Sequence, residues 1–105
     1  MSDYRITRRA QHDLENIWEY TLNEWSRTQA EKYIDSLLSS FEAIEEGKIV
    51  GKWIDSIRKG YKKVLFGKHY IFFRLSQDKV VEIIRILHVS MDTEKHLWVS
   101  RMPIY

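Results

Sequence analysis

The chain has 105 residues, 44% of them hydrophobic and 13% aromatic, which is the composition of one compact soluble domain and too little for two. It contains no cysteine, so a disulfide scaffold, a thiol nucleophile and a thiolate metal site are excluded. Its formal charge of +2 conceals a strong asymmetry: residues 13–46 carry a net −7, whereas residues 56–77 carry +6 and no acid.

The N-terminal stretch MSDYRITRRAQHDL lacks the apolar core of a signal peptide, and no run approaches the roughly 18 apolar residues of a membrane span. A cytoplasmic protein without membrane contact is expected. One proline and four glycines leave no linker or repeat, so residues 1–105 are read as a single domain, with 99–105 as a mobile tail.

Tyr4 to Thr7 supplies a short first strand. Leu14, Ile17, Trp18, Thr21, Leu22 and Trp25 recur at steps of three and four and predict a first amphipathic helix. Ser26 and Gln29 have capping-box spacing, and Ala30, Tyr33, Ile34, Leu37, Leu38, Phe41 and Ile44 form the stripe of a second helix that Gly47 stops. So short a connection implies an antiparallel helical hairpin whose apolar face needs a cover. Tyr61 to Phe66, His69 to Leu75 and Val80 to Val89 provide it, as antiparallel strands broken at Gly67-Lys68 and Ser76-Gln77-Asp78.

The expected fold is therefore α+β, a two-layer β-α-α-β-β-β arrangement with the hairpin packed on a small twisted sheet, and a turn of helix near Asp92 to Trp98. In the last strand Val81, Ile83, Leu87 and Val89 are assigned to one face and Val80, Ile84 and Ile86 to the other, as in a central strand covered on both sides.

Charged residues that interrupt this strand are the first candidates for chemistry. Arg85 is read first as a partly buried guanidinium paired with a carboxylate or backbone carbonyls, and second as a direct functional contact. His88 is read first as a hydrogen-bonded strand-end residue and second as a general base. The four histidines show no metal-ligand spacing, and there is no phosphate loop, so neither a metal nor a nucleotide cofactor is expected. The run Arg58-Lys59-Gly60-Tyr61-Lys62-Lys63 has two readings: a phosphate-binding strip with Tyr61, Tyr70 and Phe72 as stacking surfaces, or a lysine-protected edge strand. Arg74 adds a further cation. The tryptophans are read as core or interface anchors, with Trp98 near the tail marking a contact surface.

Three segments in order carry a resemblance over nearly the whole chain: Ala10-x-x-Asp13-Leu14-x-x-Ile17-x-x-Tyr20-Thr21-x-x-Glu24-Trp25, then Ile57-Arg58-x-Gly60-Tyr61-x-Lys63 with His69-Tyr70-Ile71-Phe72-Phe73-Arg74, then Arg85-Ile86-Leu87-His88-x-x-Met91-Asp92. Together they resemble the ParE toxins of the ParE/RelE superfamily of type II toxin-antitoxin systems. The resemblance implies a bacterial, cytoplasmic growth inhibitor of the plasmid-stabilisation type, held inactive by a ParD-like antitoxin. It also implies a target, DNA gyrase through its GyrA subunit, poisoned by binding without turnover, and contact with operator DNA only through the antitoxin. The antitoxin is expected on the helical hairpin. Target-binding candidates are Arg58, Lys62, Lys63, Arg74, Arg85, His88 and Trp98, and the family-motif residues are Ile86, Leu87, His88, Met91 and Asp92.

The alternative is the RelE-like branch of ribosome-dependent messenger RNA endonucleases, in which Arg58, Arg74, Arg85 and His88 would supply cations and one proton-transfer group. The sequence offers no evident second one, because no acid lies between Asp55 and Asp78 and residues 89–91 are Val-Ser-Met. A nucleic-acid-binding module resting on the basic aromatic strands is the third reading.

Overall fold

A computed structural model describes residues 3–56 and 58–90. Met91, Asp92 and Trp98, the expected turn of helix and the 99–105 tail lie outside the described residues. The elements run β1 (Tyr4–Ile6), α1 (Arg8–Glu24), α2 (Arg27–Glu45), β2 (Lys52–Trp53), β3 (Tyr61–Phe66), β4 (His69–Leu75) and β5 (Val81–His88). The helices form one layer and the sheet, in the order β1-β5-β4-β3-β2, forms the other. β2 was not anticipated, because two residues cannot show an alternation. The sheet is mixed, since β1 runs parallel to β5 and the other pairings are antiparallel.

The helices begin and end for local reasons. Thr7 stops β1 one residue early and caps α1 by accepting the Ala10 N–H at 3.1 Å. Ser26 accepts the Gln29 N–H at 3.1 Å and starts α2. At the far end Gly47, at φ +77, takes the left-handed turn that lets Lys48 N–H reach the Ala43 carbonyl at 2.9 Å. The predicted stripe of α2 holds throughout: Ala30, Leu37, Phe41 and Ile44 are buried, and Tyr33, Ile34 and Leu38 pack beside them. The stripe of α1 is overdrawn at its end, because the helix stops at Glu24 and Trp25 is its exposed C-cap.

The core between the layers joins Ala10 and Ile17 of α1 and Leu37, Phe41 and Ile44 of α2 to Ile71, Phe73, Ile83 and Ile86 of the sheet. Each fully buried side chain of this size contributes roughly 1.5–3 kcal/mol. A second cluster, Ile54, Tyr61, Phe72, Ile84 and Leu87, lies on the sheet face away from the helices.

β5 departs from simple alternation. Phe72 pairs with Arg85 but the next residue, Phe73, pairs with Ile83, so Ile84 is an extra residue in a β-bulge. The bulge shifts the phase of the strand. Val81 and Ile83 face the helices, but beyond the bulge it is Ile86 that faces them and Leu87 that joins the second cluster. The expected grouping of Leu87 with Val81 and Ile83, and of Ile86 with Ile84, is thereby corrected.

Candidate functional site

The structure separates the predicted candidates into four places. Arg85 lies between β5 and α1, where its Nε and Nη2 donate to the two oxygens of Asp13 at 2.8 and 3.1 Å. The same carboxylate accepts the Ile86 N–H at 2.9 Å, so one buried acid serves both a guanidinium and a strand amide. This is the paired reading of Arg85, with its partner identified. Nearby, Thr7 Oγ1 donates to the Ile84 carbonyl at 2.9 Å, so side chains of the β1–α1 corner take over the β5 edge where β1 ends.

Arg74 belongs to a second network. Its Nε donates to Glu82 at 2.7 Å, and Glu82 also accepts from Arg5 Nε at 3.3 Å. Arg5 continues to both oxygens of Asp78 at 3.0 and 3.1 Å and to Ser76 Oγ at 3.1 Å, and Ser76 in turn donates to Asp78. Hydrogen bonds from Arg5 and Ser76 hold the Asp78 carboxyl well below the usual carboxylate range.

The third place is the cationic edge. Strand alternation splits the basic run: Lys62, opposite Phe73, lies on the helix side, whereas Lys63, opposite Phe72, lies on the far side. Each lysine rests on an aromatic ring, Lys62 at 4.4 Å from the centre of Trp53 and Lys63 at 4.5 Å from that of Tyr70. The Arg58 guanidinium lies 5.7 Å from the Tyr61 ring. Tyr61 and Phe72 are buried, 4% and 0% exposed, so of the three proposed stacking surfaces only Tyr70 remains, under Lys63. This reduces the platform on which the nucleic-acid reading rested from three rings to one.

The fourth place is a corner that sequence spacing missed. His69 opens β4 directly opposite His88, with ring centres 5.4 Å apart. Tyr33 of α2 lies 2.6 Å from His69 Nδ1 and accepts the Lys68 N–H at 3.2 Å. The same hydroxyl also lies 3.5 Å from the Phe66 carbonyl, so it ties the β3–β4 turn to the His69 ring. Burial, and secondarily the charge of His88, lower the His69 pKa to about 4. Burial likewise raises the Tyr33 phenol. His88 is exposed at the strand end, and its Nδ1 meets Ser90 Oγ at 2.8 Å and accepts the Ser90 N–H at 3.0 Å. Of the motif residues, Ile86 and Leu87 are buried on opposite faces of the sheet. The remaining signal was available only in three dimensions, because Tyr33 and His69 are 36 residues apart.

Among the described residues, no cluster of three or more His, Asp or Glu is placed to hold a metal ion, and no helix is long and apolar enough to cross a membrane. Comparison with known proteins then decides the family. The family described as "ParE toxin of type II toxin-antitoxin system, parDE" matches residues 4–93.

The chain belongs to the ParE toxin family.

Among its ParE relatives, Toxin ParE1 of Caulobacter vibrioides is 39% identical over 97 residues, covering 92% of this chain and 99% of the relative. Toxin ParE1 of Mycobacterium tuberculosis is 33% identical, covering 91% and 98%. A solved structure titled "Chromosomal ParDE TA system from P. aeruginosa" superposes with a TM-score of 0.72 at 20% identity, covering 85% of this chain and 97% of that one, and so shares the fold. This ParE family member is thus a toxin of the type II toxin-antitoxin class, built as two helices on a five-stranded mixed sheet.

Proposed function

We propose that this ParE-type toxin inhibits growth in the bacterial cytoplasm by binding DNA gyrase, through its GyrA subunit, and trapping cleaved DNA. A ParD-like antitoxin neutralises it and carries the complex to operator DNA. Action by binding is favoured over turnover by one observation: Arg85 and Arg74, two of the cations that the sequence offers to stabilise a reacting phosphate, are engaged with Asp13 and Glu82 at 2.7–2.8 Å.

The test mixes antitoxin-free protein with gyrase, ATP and supercoiled plasmid. Linear DNA released by detergent and protease, and dependent on both proteins, is the expected result. Folded toxin that leaves supercoiling and DNA integrity untouched would exclude the gyrase reading.

One feature favours a ribosome-dependent nuclease as the second reading. His69, unprotonated near neutral pH, stands against His88, where it would serve as the second proton-transfer group of that reading. Messenger RNA cleavage only in the presence of ribosomes, lost in His88→Ala, would establish it.

A further inference from the structure

Beside the C-terminal end of α2 the sheet carries a groove of about 570 Å³. Its floor is Ile49, Phe73 and Val81, and its lips are Val50, Trp53 and Leu75. These lips are 77%, 60% and 57% exposed and account for three of the seven large apolar side chains that the described residues leave in water. The groove depends on Gly51. A Cβ there would stand 2.6 Å from the Phe73 ring, so only glycine lets the chain lie this close over Phe73 and leave Val50 and Trp53 raised on either side.

The rim is cationic. Lys62, stacked on Trp53, lines the groove, and Lys52 is the exposed neighbour of Trp53 on β2. Arg74 also lines the groove but is occupied by Glu82, and Glu45 is the one carboxylate lining it. The same margin has an open backbone edge. The two-residue Gly67-Lys68 turn makes Phe66 and His69 a hydrogen-bonded pair, so Tyr61, Lys63 and Leu65 direct their N–H and C=O groups away from β4. Tyr61 O accordingly accepts the Ile54 N–H at 2.9 Å. β2 covers only Lys62 and Lys63, so among the described residues no strand pairs with Leu65 on the side away from β4.

An apolar slot of this volume, a rim of lysines and an adjacent strand edge suit a short extended peptide with a bulky apolar side chain flanked by carboxylates. We propose that this groove holds such an acidic segment of the antitoxin, the apolar side chain seated between Val50, Trp53 and Leu75 and a carboxylate drawing Lys62 off the Trp53 ring. The proposal rests on the antitoxin reading above but assigns the contact to the cationic sheet edge, apart from the acidic outer face of the helical hairpin.

The experiment uses the full chain and the antitoxin produced with it from its own operon. Val50→Asp and Lys62→Glu are expected to weaken the complex 10- to 100-fold with melting temperatures close to that of the unaltered chain, whereas Lys32→Glu on exposed α2 changes affinity less than twofold. Raised salt should weaken the unaltered complex and leave the Lys62→Glu complex less affected. Hydrogen exchange on unaltered protein gives an independent reading: residues 49–53 and 73–75 become protected on binding. Full affinity in both variants, or no protection there, overturns the proposal while the antitoxin reading stands. If the unaltered chain does not bind the antitoxin at all, both fall. Should the free chain instead associate with itself, lose this in Val50→Asp and keep its antitoxin affinity, the occupant is a second copy and the proposal is likewise overturned.

Discussion

The two margins of the sheet solve the same problem in opposite ways. Where β1 ends, the exposed rim of β5 is taken over by side chains: Thr7 serves the Ile84 carbonyl, and Asp13 serves both the Ile86 amide and Arg85. Where β2 ends, the rim of β3 is flanked by lysines that rest on aromatic rings and by apolar side chains in water. A carboxylate buried against a guanidinium is expensive to disturb, whereas a surface ammonium on a ring is cheap to move. The charged groups that hold the fold and those left for a partner therefore lie at opposite margins.

That contrast is breakable by substitution. Asp13→Ala removes the acid and leaves Arg85 buried without its partner, at a cost of about 3–5 kcal/mol. In calorimetry the melting temperature should fall by more than about 10 °C. A small shift would mean that water or another acid replaces Asp13. Gly51→Ala drives a methyl group into the Phe73 ring and should cost about 1–3 kcal/mol, read as a lower denaturation midpoint in urea.

The third test uses pH. His69 protonates near pH 4 in the folded chain against 6.5 ordinarily, so between these values the unfolded chain binds a proton that the folded one refuses. Stability should therefore fall as pH drops from about 6.5 to about 4, by about 1–2 kcal/mol once discounted for partial solvent exposure, with no further loss from this group below that. His69→Gln should flatten the profile, and an unchanged slope would assign the effect elsewhere. The smallest effect belongs to the open margin: Trp53→Ala and Lys62→Ala should each change stability by less than about 1 kcal/mol in thermal melts. A larger loss there would erase the distinction between the margins.

Periodicity carried the helical hairpin because its stripe is continuous and both ends have local stops in Thr7, Ser26 and Gly47. It failed where position is decided across the fold. A paired Arg85 could be anticipated from a charge inside an apolar strand, but nine acids in residues 13–46 gave no reason to select Asp13. The basic run looked like one patch because sequence proximity ignores pleating, and pleating sends Lys62 and Lys63 to opposite faces. Tyr33 was legible as a member of a helical stripe, but its hydroxyl contact with His69 depends on how α2 crosses the β3–β4 turn. β2 was invisible for want of length.

The extra residue at Ile84 acts as a phase marker for everything that follows it in β5. If Ile84 were kept but the bulge ironed out, regular alternation would turn Ile86 from the helices to the outer face, Leu87 into the core between the layers, and His88 away from His69. The histidine corner and the amide that Asp13 receives are thus indexed by a count of residues as much as by their chemistry. Among relatives, a single-residue gap in this strand should fall at the bulge, where it leaves the facing of Ile86 and His88 unchanged, rather than elsewhere in the strand.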